Sequence, residues 1–302
     1  MNCLLGLGTY RCRDVRKAAG IAAAAGCPLI DTAPVYGNGA AQQQLAPVLA
    51  AYPKLRVSTK IGHMTVQQAR RAVRAGAIRQ EEVHNGHSIH PDYVDFQLRE
   101  NIAELGRPAI DLVYLHNPER FGDTDPELLH TALRSAFERL EKACADGVID
   151  GYGVATWSGF KDGAFTVPRL AKLAQEAAGS PETGLTAVQL PVSLVEITAM
   201  EEAVHQREPI VEAVDRGLEV WAAAPLHGGE LVSLVNRSLA DFIAPGVPPV
   251  VAALMAVAAT PVTGVLVSTS TREHWDTALA AVARPSLDDD KIRKLCDLLT
   301  RG

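Results

Sequence analysis

Short apolar runs alternate with helical patterns along the whole chain, and this alternation constrains the fold more than any other feature. Eight runs of four to six residues are predicted to be strands: Leu4–Thr9, Pro28–Ala33, Arg56–Ile61, Asp111–His116, Tyr152–Thr156, Ala187–Pro191, Glu219–Ala224 and Val265–Ser268. Several are continuously apolar, as in Leu112–Leu115. Continuous runs are typical of parallel strands that are buried on both faces of a sheet.

The segments between these runs predict helices. Within Leu128–Ala145 the apolar residues share one helical face: Leu129, Leu133, Ala136, Phe137, Leu140 and Ala143. Several helical segments end in a glycine just before the next strand, which is typical of a helix C-terminus: Gly26, Gly106, Gly147 and Gly217. Eight strand–helix alternations in 302 residues, with no dividing linker, predict a single (β/α)₈ TIM barrel domain over residues 1–302.

Three segments depart from the regular spacing. Gly62–Pro91 separates the third strand from its helix, and Gly228–Pro249 follows the seventh strand. Long loops inside a compact domain are usually functional, so we expect a substrate lid or binding segments there. The last segment, Pro285–Gly302, has a polar cap at Ser286 and an amphipathic run, which predict a terminal helix packed on the outside.

Composition argues against several classes of protein. The net charge of −6 and the pI near 5.9 argue against a general binder of nucleic acid or anionic membranes. The five cysteines are scattered, which predicts free thiols in a reducing compartment. The N-terminus lacks a signal-peptide pattern, and prolines and glycines break the uncharged tract Phe242–Thr271 into pieces shorter than the roughly 20 residues of a bilayer span. We therefore expect a cytoplasmic protein.

In a barrel of this kind, the reactive face lies at the C-terminal ends of the strands. Asp31 follows the apolar part of the second strand, Tyr36 comes five residues later, Lys60 lies near the end of the third strand, and His116 ends the fourth. Each alone has an ordinary explanation, such as a helix cap, a packed ring or a solvated amine. Their occurrence on consecutive strands predicts instead that they lie side by side.

These residue types suit the reduction of a carbonyl group. A tyrosine hydroxyl has an ordinary pKa of about 10, which is too high for efficient proton donation at neutral pH. A nearby lysine ammonium stabilises the phenolate and lowers that pKa, and an aspartate holds the lysine in place. A neutral histidine donates a hydrogen bond to the same substrate oxygen. Together they would polarise and protonate a carbonyl oxygen while a hydride reaches its carbon.

Six motifs extend this pattern over nearly the whole chain: Gly6–Tyr10, Asp31–Gly37, Ser58–Lys60, Tyr114–Pro118, Gly151–Thr156 and Pro225–Gly229. With these motifs the sequence closely resembles the aldo-keto reductase superfamily. The resemblance implies a catalytic tetrad of Asp31, Tyr36, Lys60 and His116, with Tyr36 as the general acid–base. It also implies NADPH, with NADH as the alternative, bound across the barrel mouth and not by a Gly-rich Rossmann loop.

The resemblance implies cofactor contacts along the rim of the barrel: Thr9, Tyr10, Asp31, Thr156, Gln189, Pro225, Leu226, Gly228, Ser268, Ser270, Arg272 and His274. Three positions depart from the family pattern. Ala155-Thr156 replaces the usual Ser-Asn, Ala223 replaces an aromatic residue that often stacks on the nicotinamide, and Thr277-Ala278 replaces a Glu-Asn pair. Hydroxyls, Arg272 and a helix N-terminus are still suited to a 2′-phosphate. A plain strand-to-helix connection explains that segment equally well.

The spacing of His84, His87 and His90 suggests a metal site, but Asn85-Gly86 disfavours a helix and no carboxylate or cysteine completes the set. We therefore expect a polar loop beside the site and no metal. Three aromatic side chains follow strands four, five and seven and suit either pocket walls or core packing: Phe121, Trp157 and His227. Cys27 has apolar neighbours and is expected to be inert.

The leading hypothesis is an NAD(P)H-dependent oxidoreductase that reduces an aldehyde or ketone, or oxidises the corresponding alcohol. The altered nicotinamide contacts leave a lyase, dehydratase or isomerase on the same fold as a second hypothesis. A regulatory subunit that binds a nucleotide without catalysis is the third. The complete tetrad disfavours this third hypothesis, since a sensor has no need of Tyr36 and Lys60 together. Substrate identity, reaction direction and oligomeric state stay open.

Overall fold

Eight parallel strands form a closed barrel in the computed structural model, which describes residues 3–121 and 125–300. Each strand pairs with the next in sequence, and the last pairs with the first, so Leu4 lies opposite Gly264. The strands are β1 Leu4–Gly8, β2 Leu29–Asp31, β3 Arg56–Ile61, β4 Leu112–His116, β5 Tyr152–Ala155, β6 Leu185–Pro191, β7 Glu219–Ala223 and β8 Gly264–Val267. The predicted (β/α)₈ barrel is confirmed, and every predicted strand is present with bounds within two residues.

Helices surround the barrel in the described part of the chain. They are α1 Val15–Ala24, α2 Ala41–Ala51, α3 Val66–Arg74, α4 Pro91–Leu105, α5 Pro126–Ala145, α6 Val167–Ala178, α7 Thr198–Val204, α8 Ile210–Asp215, α9 Leu231–Leu234, α10 Arg237–Ile243, α11 Pro249–Ala258, α12 Arg272–Val282 and α13 Asp289–Thr300. All six apolar residues predicted on the inner face of α5 are buried. The four glycines predicted at helix ends all have a positive φ, which confirms that interpretation.

The barrel interior is filled by large side chains beneath the C-terminal face. The Trp221 ring is fully buried, and a Cβ on Gly264 would lie 2.5 Å from it. The same ring also packs closely against Gly6, since a Cβ there would lie 3.0 Å from it. The Trp221 indole N–H donates to Glu219 Oε2 at 2.8 Å, and Glu219 pairs with Arg56. These buried contacts therefore hold the strands in place below their C-terminal ends.

The two predicted long loops contain helices that the sequence analysis missed. The first holds α3, which begins at a capping box in which Thr65 and Gln68 bond each other's backbone N–H. The Thr-x-x-Gln spacing was a signal for this helix, but α3 is so polar that it lacks a wide apolar stripe. The second holds α9 and α10, and the Asn236 side chain caps α10.

The predicted C-terminal helix is present as α13, but its cap differs from the prediction. Asp288 Oδ1 accepts a hydrogen bond from the Lys291 N–H at 2.7 Å, whereas the Ser286 hydroxyl donates to the Leu287 carbonyl. A carboxylate one residue before the helix is an effective cap, and Ser286 lies too far upstream. The helix packs against α7 with its buried face: Ile292, Leu295 and Cys296. Residues 301–302, at the end of the predicted segment, lie outside the described residues.

All five cysteines are free thiols, as predicted. Burial raises the pKa of Cys27 to about 11, which supports the expectation that its thiol is inert. Among the helices of residues 3–121 and 125–300, none combines the length and the apolar character that crossing a bilayer requires.

Candidate active site

A cavity of about 860 Å³ opens at the C-terminal ends of the strands. Its volume lies within the roughly 300–1,000 Å³ of typical ligand pockets. Asp31, Tyr36 and His116 line it, and Lys60 lies directly beneath with 1% of its surface exposed. The structure therefore brings together the four residues that the sequence placed on consecutive strand ends.

Asp31 and Lys60 form a buried ion pair between β2 and β3. Lys60 Nζ lies 2.5 Å from Asp31 Oδ2 and also donates to the Thr32 carbonyl at 3.0 Å. The other carboxylate oxygen, Oδ1, accepts from Ser58 Oγ at 2.8 Å and from Gln189 Nε2 at 3.0 Å. Burial lowers the pKa of Lys60, and the Asp31 carboxylate opposes that shift. Asp31 thus both holds the ammonium in place and favours its charged form.

Tyr36 is placed against this pair by the turn that follows β2. It begins a short 3₁₀ helix, Tyr36–Gly39, in which Gly37 and Asn38 have φ values of 57° and 54°. Lys60 Nζ lies 5.1 Å from the centre of the Tyr36 ring, within cation–π range. The His116 ring is 6.0 Å from the Tyr36 ring and nearly perpendicular to it.

The protonation states of the site differ in one respect from the prediction. Burial and the Asp31 carboxylate raise the pKa of Tyr36 well above its ordinary value, although Lys60 was expected to lower it. The Tyr36 ring is partly buried in the cavity wall, and Lys60 is already paired with Asp31, so the effect of burial outweighs that of the lysine. Burial and the Lys60 charge lower the pKa of His116 well below its ordinary value, so its imidazole is neutral, as expected.

Two further histidines, His63 and His87, lie beside His116. His87 Nε2 donates to the His116 carbonyl at 2.8 Å, and the His63 ring lies 4.8 Å from His87 and 4.7 Å from His116. Burial lowers the pKa of both His63 and His87 to about 4. Gly62 permits this packing, because a Cβ there would lie 2.8 Å from both the His116 carbonyl oxygen and His87 Nε2.

The histidines considered for a metal site separate in the structure. His87 is buried, His84 is exposed, and the His90 side chain caps α4. In the described part of the chain, no three His, Cys, Asp or Glu side chains are arranged to hold a metal ion. The loop that carries His87 does lie beside the cavity, where Asn85 and Gly86 line it.

Most of the residues expected to contact a cofactor line the cavity: Tyr10, Asp31, Thr156, Gln189, Pro225, Leu226, Gly228 and Ser268. Thr9 is buried below them, where its hydroxyl donates to the Thr32 hydroxyl. The others lie outside the cavity lining, in or just before the first turn of α12: Ser270, Arg272 and His274. Arg272 forms an ion pair with Asp276 at 2.8 Å, in which both side chains are largely exposed.

The residues that line the cavity are suited to a nicotinamide dinucleotide. Ala155, Ala223 and Ala224 have small side chains that leave the side formed by β5 to β8 open. Arg11 supplies a cation there, in a loose and exposed ion pair with Glu230 at 3.7 Å, and a Cβ on Gly228 would lie 2.6 Å from Arg11 Nη1. A guanidinium beside a glycine turn suits a pyrophosphate. The sequence analysis missed Arg11, although it directly follows the Gly6–Tyr10 motif.

Other lining residues were also missed or differ from expectation. Asn117 and Arg120 line the cavity next to His116, and the Tyr114–Pro118 motif was the signal for Asn117. Trp157 lines the cavity as one of the predicted walls. His227 instead packs on Trp157 with ring centres 6.1 Å apart, and Phe121 packs against the hydrophobic core.

The chain is similar in sequence to known proteins. The family model described as the aldo/keto reductase family matches residues 5–242. A D-threo-aldose 1-dehydrogenase from a Pseudomonas species is 35% identical over 140 residues, which cover 44% of this chain and 40% of that protein. The match therefore spans less than half of that relative's length.

Two solved structures share the barrel over almost the whole chain. A glycerol dehydrogenase from Gluconobacter oxydans superimposes with a TM-score of 0.70 at 22% identity. An aldo-keto reductase from Bacillus halodurans, in its holo form, superimposes with a TM-score of 0.67 at 17% identity. Both alignments cover 98% of this chain and 91% of the other. At these identities, the similarity shows a common fold.

Proposed function

The chain belongs to the aldo/keto reductase family, and we propose that it reduces a small aldehyde or ketone, or oxidises the corresponding alcohol, with NADP(H) as its cofactor. One observation carries the proposal. A buried ion pair of Asp31 and Lys60 lies against Tyr36, and the neutral His116 lies next to Tyr36 at the mouth of the barrel. This arrangement suits the movement of one proton to or from a substrate oxygen.

Tyr36 would donate its proton to the carbonyl oxygen as negative charge develops there. Tyr36 is protonated at neutral pH, which is the state that reduction requires, and the upward shift of its pKa leaves this unchanged. An alkoxide is a stronger base than a phenolate, so this transfer is favourable despite the raised pKa. Lys60, 5.1 Å from the ring centre, would then stabilise the phenolate that forms.

His116 would orient the substrate. Its imidazole is neutral because burial and Lys60 lower its pKa, so one ring nitrogen carries a proton for a hydrogen bond to the carbonyl oxygen. The bond from His87 to the His116 carbonyl holds the end of β4 in place. Asp31 would act through Lys60, as a positioning residue.

When bound, the cofactor would supply a hydride to the carbonyl carbon. Thr156 and Gln189 line the cavity and would contact its nicotinamide amide, and Arg11 at the Gly228 turn would contact its pyrophosphate. The hydroxyls and Arg272 at the start of α12 favour a 2′-phosphate, and for this reason we propose NADPH over NADH. Thr156 Oγ1 accepts from the Gly159 N–H at 2.7 Å and keeps its own proton for a ligand.

Replacing Tyr36 with phenylalanine tests the proposal. We expect Tyr36→Phe to lower kcat/KM for carbonyl reduction about 10²- to 10⁴-fold, because it removes the proton donor and keeps the ring. The dissociation constant of NADPH, measured by its fluorescence, should stay unchanged. Tyr52→Phe is the matched control, since Tyr52 is exposed at the end of α2, and it should leave both quantities unchanged.

Other outcomes would contradict the proposal in distinct ways. Full reduction by Tyr36→Phe would refute its role as the acid. Nucleotide binding without oxidation across a panel of carbonyl compounds would favour a regulatory subunit. Absence of nucleotide binding would favour a non-redox enzyme, which the loss of the usual Ser-Asn pair at Ala155-Thr156 makes the second candidate.

A further inference from the structure

The cavity wall beyond His116 carries a pair of polar side chains that the proposed proton transfer does not use. His63 follows β3, and Asn117 follows β4. Both are half-buried and line the cavity. Asn117 Nδ2 lies 3.1 Å from His63 Nε2, within hydrogen-bond distance. The two residues therefore form one polar unit next to the tetrad.

The backbone holds Asn117 in an unusual conformation. Its φ of 50° lies in the left-handed region, which asparagine tolerates better than most residues. Its N–H donates to the Ala155 carbonyl at 2.6 Å, and its carbonyl accepts from the Arg120 N–H at 2.9 Å. Non-glycine residues in this conformation cluster at functional sites. The fixed backbone directs the Asn117 amide to His63.

The pair presents both a hydrogen-bond donor and an acceptor. Burial, with a contribution from Arg120, lowers the pKa of His63 to about 4, so the ring is neutral at pH 7. Because Asn117 Nδ2 donates to Nε2, the ring proton is on Nδ1. In the part of the chain that the structure describes, neither His63 Nδ1 nor Asn117 Oδ1 makes a hydrogen bond. A neutral donor beside a neutral acceptor complements a hydroxyl group.

The pair lies near the position expected for the carbons next to the reacting carbonyl. The His63 ring lies 4.7 Å from the His116 ring, and His116 lies 6.0 Å from Tyr36. A carbonyl oxygen bonded by Tyr36 and His116 would bring the adjoining carbons of the substrate close to His63. Met64 and Trp157 supply apolar surface in the same cavity, and Arg120 supplies a charge, so His63 and Asn117 are the neutral polar pair next to His116 that can select for a hydroxyl.

We propose that His63 and Asn117 form a hydroxyl-binding subsite that selects substrates with a hydroxyl on the carbon next to the reacting carbonyl. The proposal rests on the proposed function, since it takes Tyr36 and His116 as the groups that bind the carbonyl oxygen. Substrates without this hydroxyl leave the pair unsatisfied when water is displaced, and that loss produces the discrimination.

Two ketones of matched size provide the test. Hydroxyacetone and butanone differ only in whether a hydroxyl or a methyl group is attached to the carbon next to the carbonyl. We expect the wild-type enzyme to favour hydroxyacetone in kcat/KM by about 10- to 100-fold. His63→Phe keeps a ring against His116 but removes both nitrogens, and Asn117→Gly removes the amide where φ is positive. Both should bring the ratio near one, with butanone turnover retained.

A matched control and a binding measurement complete the experiment. His84→Phe makes the same substitution at an exposed histidine outside the cavity lining, and it should keep the wild-type ratio. In ¹⁵N-labelled protein, hydroxyacetone should shift the His63 imidazole resonances, butanone should not, and Asn117→Gly should abolish the difference. Turnover with an unchanged ratio in His63→Phe would overturn the subsite and leave the proposed function intact.

The two proposals can fail separately. If no compound of a panel of aldehydes, ketones and alcohols reacts with NADPH or NADH, the proposed function fails, and binding of the two ketones alone then decides the subsite. Selective binding of hydroxyacetone that depends on His63 and Asn117 would support the subsite even then. Equal shifts with the two ketones, or shifts that Asn117→Gly leaves unchanged, would overturn it.

Discussion

The two sides of the cavity are built in different ways. The β2–β4 wall consists of Asp31, Tyr36, Lys60 and His116, and its charged groups are buried and bonded to one another. The β5–β8 wall has small uncharged side chains at Ala155, Ala223 and Ala224, and the cations next to it, Arg11 and Arg272, are exposed and paired with surface carboxylates. One side is preorganised, and the other is open.

This difference predicts separate roles for the two walls, one in catalysis and one in nucleotide binding. Fixed, buried dipoles and charges stabilise a transition state most effectively because they need no rearrangement during the reaction. A large dinucleotide instead needs space, and it brings its own charges. We therefore expect changes in the β2–β4 wall to affect both stability and rate. Changes in the β5–β8 wall should affect mainly the affinity for the nucleotide.

The largest effect is expected from Lys60→Met in the β2–β4 wall. The substitution keeps most of the side-chain volume but leaves the Asp31 carboxylate buried without its cation. Removing one partner of a buried ion pair typically costs roughly 3–5 kcal/mol in the free energy of unfolding. Denaturant unfolding should show a loss of this size, and kcat/KM should fall at least about 100-fold.

The exposed pair Lys142–Asp146, at 2.6 Å, provides the control for this prediction. Lys142→Met should cost less than about 1 kcal/mol, because solvent screens that pair. Adding Asp31→Asn to Lys60→Met should recover stability but not activity. Equal losses for the two lysines would show that the β2–β4 wall is no more preorganised than the surface.

Acid should weaken the β2–β4 wall through the histidines beside it. His87 has a pKa of about 4 in the fold and an ordinary value of 6.5, so between these pH values the unfolded chain binds a proton that the native chain does not. The free energy of unfolding therefore falls as the pH falls from about 6.5 to 4. His87 alone should account for about 3 kcal/mol of that loss.

The slope of stability against pH measures this contribution. His87→Gln keeps an N–H donor for the His116 carbonyl but cannot be protonated, so its unfolding free energy should fall less steeply below pH 6.5. The wild type should lose up to about 1.4 kcal/mol more per pH unit. His84→Gln changes an exposed imidazole of the same loop and should keep the wild-type slope. Parallel slopes for wild type and His87→Gln would contradict the prediction.

The sequence predicts the β2–β4 wall better than its surroundings for a physical reason. Apolar runs locate the strands, and parallel pairing brings all strand ends to one face, so Asp31, Lys60 and His116 had to converge there. Tyr36 follows from the same logic because its turn is short. Its raised pKa did not follow, since that depends on the partial burial of the ring in the fold and on the nearby Asp31 carboxylate.

The histidine cluster could not be predicted because it depends on how a long segment folds back. The Ser88 N–H bonds the Gly62 carbonyl at 3.0 Å, and the Met64 N–H bonds the Gly86 carbonyl at 2.8 Å. These contacts bring His87 to the end of β4 from 29 residues away in sequence. No local pattern encodes such a pairing. In the same segment, α3 was missed because its residues are mostly polar and charged.

The smallest effect is expected in the β5–β8 wall, where Arg272→Ala removes an exposed guanidinium at the start of α12. If Arg272 contacts the 2′-phosphate, the dissociation constant of NADPH should rise by less than about 10-fold and that of NADH should not change. Arg293→Ala, on α13 and paired with Asp290, provides the control. A rise of equal size for both nucleotides would locate Arg272 at a group that they share. The 2′-phosphate would then have no cationic partner at Arg272, and the proposed preference for NADPH would lose its main support.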